Sequence, residues 1–172
     1  VLKRTGSTFE VVGRTGGDEE LGGEDFDDLL YRHLGDQLGG ETWDQLRTAD
    51  ERKDPAWAQA NRELQRQARR AKEGLSRNPE YEFYLPPPVD QELTATVDDF
   101  ESLIAPTLRG TVAELERTIL AARLQTTDMK AIYLAGGSSR IPLVSRLIQE
   151  RMGMAPDYLD DPGHALPTLR AL

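Results

Sequence analysis

The sequence predicts an α/β fold that carries an inserted α+β segment. Candidate strands and helices alternate along most of the chain, the pattern of an α/β sheet. Residues 131–152 read as a single strand, glycine turn and helix. Residues 41–97 hold a long helix and a hairpin, and they interrupt two helices that would naturally pack on one sheet.

The first two short strands, over residues 1–3 and 8–13, are joined by the Thr5-Gly6-Ser7 turn, a hairpin signal. Thr15-Gly16-Gly17-Asp18 is a loop. Next comes Leu21-Gly22-Gly23, followed by Glu24, Asp25, Asp27 and Asp28, acids that suit a first helical turn. Phe26, Leu29, Leu30, Leu34 and Leu38 form the apolar stripe of that helix, with His33 beside it. His33 reads as a packing residue, since no partner sits at metal-ligand spacing. Gly39-Gly40 closes the helix, and residues 41–54 are polar enough to read as a connection with about one helical turn.

Pro55 opens a long helix to about Ser76, with Trp57, Ala60, Leu64, Ala68, Ala71 and Leu75 on its buried face. Arg69, Lys72 and Ser76 make a second stripe, rotated by about 100° from the first. By spacing alone that stripe is either a solvated basic face or one border of a cleft. Residues 81–85 alternate as a strand, Pro86-Pro87-Pro88 makes a stiff turn that cannot donate to a ladder, and residues 92–97 return as a second strand. Thr96 with Asp99 resembles a capping box. Pro106 is expected to end or kink the helix that follows, and Leu108, Val112, Leu115, Ile119 and Ala122 carry a longer one.

Residues 131–135 then form a buried strand that Gly136-Gly137 ends. Ser138 and Ser139 are placed to cap a helix start, Pro142 suits a first turn, and Val144, Leu147, Ile148 and Met152 recur at helical spacing. In open α/β sheets such a turn lies at the carboxyl end of a strand, where ligands bind, and the helix start presents N–H groups. Arg140 adds a planar cation that can stack on a ring or pair with an anion. An ordinary strand-to-helix connection accounts for the local spacing equally simply. A short strand at Tyr158-Leu159 and a partial helix over residues 163–172, broken by Pro167, end the chain.

The 172 residues favour one domain, or one with an insertion. Apolar residues make up 38%, enough for a core, and the net charge of −9 argues against non-specific binding to nucleic acid or to an anionic membrane. With no cysteine, disulfides and thiolate metal sites are excluded. The two histidines, His33 and His164, are too far apart to suggest a metal cluster. No apolar run approaches the length of a membrane span, and no signal peptide is recognisable. The chain starts at Val1, inside an expected strand, which suggests a piece of a longer protein.

Three stretches, in matching order and spacing, resemble the seventy-kilodalton heat-shock chaperones. They are Phe9-Glu10-Val11 with Thr15-Gly16-Gly17-Asp18 and Leu21-Gly22-Gly23-Glu24-Asp25-Phe26-Asp27; Ala71-Lys72 with Leu75-Ser76; and Leu134-Ala135-Gly136-Gly137-Ser138-Ser139-Arg140-Ile141-Pro142. Phe100-Glu101 and Arg109-Gly110-Thr111 match as well. The resemblance covers nearly the whole chain and implies the second lobe of that family's ATPase domain, of the actin-like, ribonuclease-H-like fold. Residues 1–40 and 98–172 would form its inner subdomain, and residues 41–97 the inserted outer one.

The resemblance also implies a site for ATP or ADP, with Mg²⁺ held by parts of the parent protein that are not in this chain. In the family the adenosine sits between the helix stripe that matches Arg69, Lys72, Glu73 and Ser76 and the turn that matches Gly136, Gly137, Ser138 and Arg140. Lys72 and Ser76 match groups that contact ribose and base, Arg140 matches an arginine that stacks on adenine, and Gly23 matches a glycine lining the cleft. No catalytic residue and no metal ligand is implied here, because the phosphate loop and the first-lobe groups lie outside the sequence. The implied partners are the first lobe, a peptide-binding domain, a J-type co-chaperone, and a nucleotide-exchange factor gripping the outer subdomain near residues 81–96. The implied setting is a cytoplasmic stress-response chaperone. Arg69 departs from the pattern, standing where an acid that contacts ribose is usual. Glu73 stands where some members carry arginine, and Gly163 replaces a common acid. These departures motivate the alternative of a divergent member that has lost turnover and acts as a nucleotide-sensing or interaction scaffold.

Overall fold

The computed structural model describes residues 1–17 and 21–159. The chain divides into two compact units, Leu21–Ile104 and Val1–Glu20 with Ala105–Leu172.

Within Leu21–Ile104, helix α1 spans Gly23–Gln37. Its start is fixed by Asp25, whose Oδ2 accepts from the Gly22 backbone N–H at 2.7 Å. Helix α2 spans Gly40–Arg47 and α3 spans Pro55–Gly74. The carboxylate of Asp54 caps α3 by accepting from the N–H groups of Ala56 and Trp57, and Pro55 takes the first position, where a missing N–H costs nothing. Strands β3 (Glu80–Leu85) and β4 (Gln91–Thr96) pair antiparallel across the proline turn, with Glu80 opposite Thr96 and Leu85 opposite Gln91.

The core of this unit follows the expected stripes. Phe26, Leu30 and Leu34 of α1 are buried, as are Ala60, Leu64, Ala68 and Ala71 of α3, and Leu85, Leu93 and Ala95 of the hairpin. Each large side chain sunk here contributes about 1.5–3 kcal/mol relative to exposure. Trp57 is only half-buried, and Ala58 takes a place in the core.

The stretch expected to be a polar connection forms α2, a full eight-residue helix. Its apolar anchors are Trp43 and Leu46, one turn apart. Leu46 is fully buried, and the Trp43 ring packs against α1 at Gly35.

In the other unit, β1 (Leu2–Thr5) and β2 (Thr8–Val11) form an antiparallel hairpin, with Thr5 opposite Thr8 and Gly6 at a φ of 65° in the turn. Helix α4 begins in the first unit and ends here, spanning Val97–Ala121. Its start carries the expected Thr96–Asp99 exchange. The Asp99 N–H donates to Thr96 Oγ1 at 3.2 Å, and that hydroxyl donates to Asp99 Oδ2 at 2.6 Å. Pro106 lies inside α4 and does not end it. It forgoes one backbone donor, and Ile104, Leu108 and Val112 continue the buried stripe past it.

Strand β5 is only Tyr133–Leu134, shorter than the five residues expected. It pairs in parallel with β6 (Asp157–Tyr158), with α5 (Pro142–Met152) between them in sequence. Leu143, Leu147, Ile148 and Met152 are the buried face of α5, and Gly153 ends it in the left-handed region at a φ of 70°. Among the described residues the strands pair as three two-stranded sheets rather than one continuous α/β sheet. Residues 163–172, where a partial helix was expected, lie outside the described residues.

Candidate functional site

Five of the nine residues singled out from sequence lie in Leu21–Ile104, and two of them, Lys72 and Gly23, meet where the end of α3 touches the start of α1. Lys72 is in the last turn of α3, and its ammonium donates to the Gly23 carbonyl at 2.8 Å. The same nitrogen lies 2.6 Å from Asp27 Oδ1, with the two side chains only 13% and 20% exposed. That carboxylate oxygen is buried, and at this distance it makes a short, charge-assisted contact with the ammonium.

Ser76, half-buried, donates its hydroxyl back to the Lys72 carbonyl at 3.4 Å, a long bond that leaves its lone pairs available. Arg69 and Glu73 are exposed on the outer side of the stripe, where Arg69 Nε lies 3.7 Å from Glu73 Oε1. A pair of that length and exposure adds little stability.

In sequence Asp27 is one of the acids that suit a helix N-terminus and the last residue of the Leu21–Asp27 motif, with no site role of its own. Its partner sits on another helix far along the chain, so nothing in the local pattern around residue 27 could have revealed the pair.

The other four residues lie in the second unit, in the turn after β5. Gly136 has a φ of 93°, a conformation that a side chain would strain, so the turn requires glycine there. Residues Gly137–Arg140 make a short 3₁₀ turn, and α5 begins only at Pro142. The serines therefore do not cap α5, contrary to expectation. Ser139 instead donates to the Gly136 carbonyl at 2.6 Å and closes the turn on itself. A Cβ built on Gly136 or Gly137 would meet nothing within 4 Å, so open space lies over this backbone. Arg140 is exposed at its end.

An open cleft of about 520 Å³ lies between α1 and α2, walled by Tyr31 and Trp43. None of the nine residues lines it. Its arginines are already paired, Arg32 with Asp28 at 2.7 Å and Arg47 with Asp44 at 3.0 Å. Among the described residues no group of three histidine, cysteine or acidic side chains is placed to hold a metal ion, and no helix is long and apolar enough to cross a membrane.

The family model described as Hsp70 protein matches residues 1–165. The chain is 34% identical over 163 residues to a chaperone protein HscA homolog of Shewanella denitrificans, covering 94% of this chain and 24% of that protein. Homologs of the same description from Shewanella putrefaciens and Burkholderia mallei are 35% and 31% identical, again over 94% of this chain and 24% of theirs. The chain thus spans about a quarter of the length of the curated relatives it matches. With the glycine motifs in place at the start of α1 and after β5, and the match running through 165 of the 172 residues, the chain belongs to the Hsp70 family.

Proposed function

We propose that this chain is the adenosine-side lobe of the ATPase domain of an Hsp70-type chaperone, with an actin-like fold. Residues 41–97 would be its outer subdomain, and residues 1–40 and 98–172 its inner one. The observation that carries this reading is Lys72, whose ammonium is held at the glycine start of α1 by the Gly23 carbonyl and Asp27. An ammonium with two anchors keeps a third N–H donor for a ligand.

The residues fit an adenine nucleotide. In one unit, Lys72 and Ser76 would take ribose and base. In the other, the open backbone at Gly136 and Gly137 lets a flat ring approach, Ser138 borders it, and Arg140 supplies a stacking guanidinium. Arg69 and Glu73 sit at the rim of the α3 stripe and, paired with each other, contribute less. The nucleotide, bound with Mg²⁺, brings the transferable γ-phosphate. The groups that act on that phosphate belong to the first lobe and the phosphate loop of the full-length protein. Phosphoryl transfer is chiefly positioning and electrostatics, so this lobe's part is to fix the adenosine end.

ATP and ADP would then bias two states of the domain by binding them differently, and that bias would reach a peptide-binding domain. A nucleotide-exchange factor gripping the β3–β4 hairpin, and a J-type co-chaperone, would set the cycle in a cytoplasmic stress response. ADP affinity of the full-length protein tests the reading: Lys72→Met should weaken ADP about tenfold, the loss of one hydrogen bond from a charged donor. Unchanged affinity would exclude Lys72 from the site.

One observation favours the scaffold alternative. The two residues that depart from the family pattern on α3, Arg69 and Glu73, are 3.7 Å apart and engage each other. Nucleotide binding without ATP turnover in the full-length protein would select that alternative.

A further inference from the structure

We propose that Asp27 is a positioning residue that makes Lys72 a reader of neutral hydroxyl groups rather than of phosphate; the inference rests on the nucleotide-binding role proposed above. An ammonium has three N–H donors and no acceptor. On Lys72 one is committed to the Gly23 carbonyl at 2.8 Å. Asp27 Oδ1, itself buried, lies 2.6 Å from the same nitrogen. The carboxylate therefore restrains the ammonium and takes up a second donor, which leaves the third N–H for a ligand.

This arrangement has two consequences. The ammonium is fixed between the last turn of α3 and the first turn of α1, at a site where little water reaches either partner, so the coupling exceeds that of a surface pair. The pair is also formally neutral. What remains for a ligand is an N–H donor on a cation whose charge is already answered, and that suits a sugar hydroxyl. A phosphate oxygen draws much of its hydrogen-bond strength from an unanswered cation, and here Asp27 would repel it. The site thus favours an adenine nucleotide with a free ribose edge over one with an additional phosphate there.

The experiment is calorimetric titration of the full-length protein with ADP, 2′-deoxy-ADP and 3′-deoxy-ADP, in the wild type, Asp27→Asn, Lys72→Met and the double variant, with a thermal melt of each. The wild type should prefer ADP to at least one deoxynucleotide by about tenfold, and Asp27→Asn should cut that preference below about threefold. Asp27→Asn should also make ADP binding more salt-dependent, because it leaves a bare cation. In the Lys72→Met background the Asp27→Asn change should alter neither quantity.

A wild-type preference in folded Asp27→Asn overturns the positioning role while nucleotide binding stands. Absence of ADP binding to the wild type overturns both. Should Asp27→Asn melt below the titration temperature, Asp27→Glu carries the test. It keeps the charge and should keep the preference and the weak salt dependence, and their loss in a folded protein overturns the proposal.

Discussion

The indole of Trp43 on α2 lies directly against Gly35 of α1: a Cβ built on Gly35 would come 2.5 Å from the ring carbons Cε3 and Cζ3. The same indole meets Tyr31 edge-on, with ring centroids 4.9 Å apart at 63°. Position 35 thus admits α2 onto α1 because it has no side chain.

Gly35→Ala should therefore destabilise the protein by about 1–3 kcal/mol, since the clash outweighs the gain of about 1 kcal/mol that alanine brings to a helix interior. In a Trp43→Ala background the same substitution should be neutral or stabilising. Thermal melts of the four proteins measure the reversal, and its absence would mean that α2 does not pack on Gly35.

The Lys72–Asp27 pair should show the asymmetry of a partly buried ion pair. Lys72→Met alone strands a carboxylate and should cost about 1–3 kcal/mol, a range lowered from that of a fully buried pair because Asp27 keeps some contact with water. The double variant Lys72→Met with Asp27→Leu should recover most of that loss. Chemical denaturation reads both, and a double variant worse than the sum of its parts would contradict a stabilising Lys72–Asp27 pair.

Tyr31 donates to Asn61 Oδ1 at 2.6 Å, and Asn61 is itself buried. Burial raises the Tyr31 phenol above its ordinary value, opposed by the hydrogen bond to Asn61. The phenol therefore holds its proton longer in the folded chain than in the unfolded one. Its stabilising effect is complete below the ordinary tyrosine value of about 10. It declines as pH rises from there through the higher folded-state value. Tyr31→Phe should cost about 1–2 kcal/mol at neutral pH, by stranding Asn61. It should also flatten the fall in stability above the ordinary tyrosine range. Denaturation midpoints across an alkaline series test both effects, and an identical pH slope in the variant would remove Tyr31 as the cause.

The core is equally open to test. Leu64 of α3 is fully buried, and Leu64→Ala should cost about 2–5 kcal/mol through lost burial and the cavity left behind. A loss below 1 kcal/mol by denaturant titration would mean that the α1–α3 packing is looser than described.

Much of this architecture is legible in the chain because its signals are local. The stripe from Phe26 to Leu38, the Asp54-Pro55 start of α3, the Thr96–Asp99 exchange and the proline turn each need only a few neighbouring residues to be read. The features that escaped reading depend on distant partners or on too few residues. Helix α2 is anchored by Trp43 and Leu46 alone, and two apolar positions in eight residues do not establish a period. Pro106 punctuates the sequence, yet buried neighbours on both sides carry α4 through it. Ser138 and Ser139 look like caps, but the turn closes through Ser139 and the Gly136 carbonyl before α5 begins. Of the candidate site, the residue types were legible from the glycine motifs and the α3 stripe. Asp27, which holds Lys72, was not, because only the fold brings it to that helix.

In the proposed role this chain takes the adenosine end of a nucleotide. The most direct measurement is a calorimetric titration of ADP into the full-length protein, beside an Arg140→Ala variant that melts like the wild type. Saturable binding by the wild type is expected, with a loss of about 1–2 kcal/mol in the variant, the contribution of a guanidinium stacked on a ring away from water. Binding of equal strength in both would contradict the role of Arg140, and no binding by the folded wild type would contradict the nucleotide site as a whole.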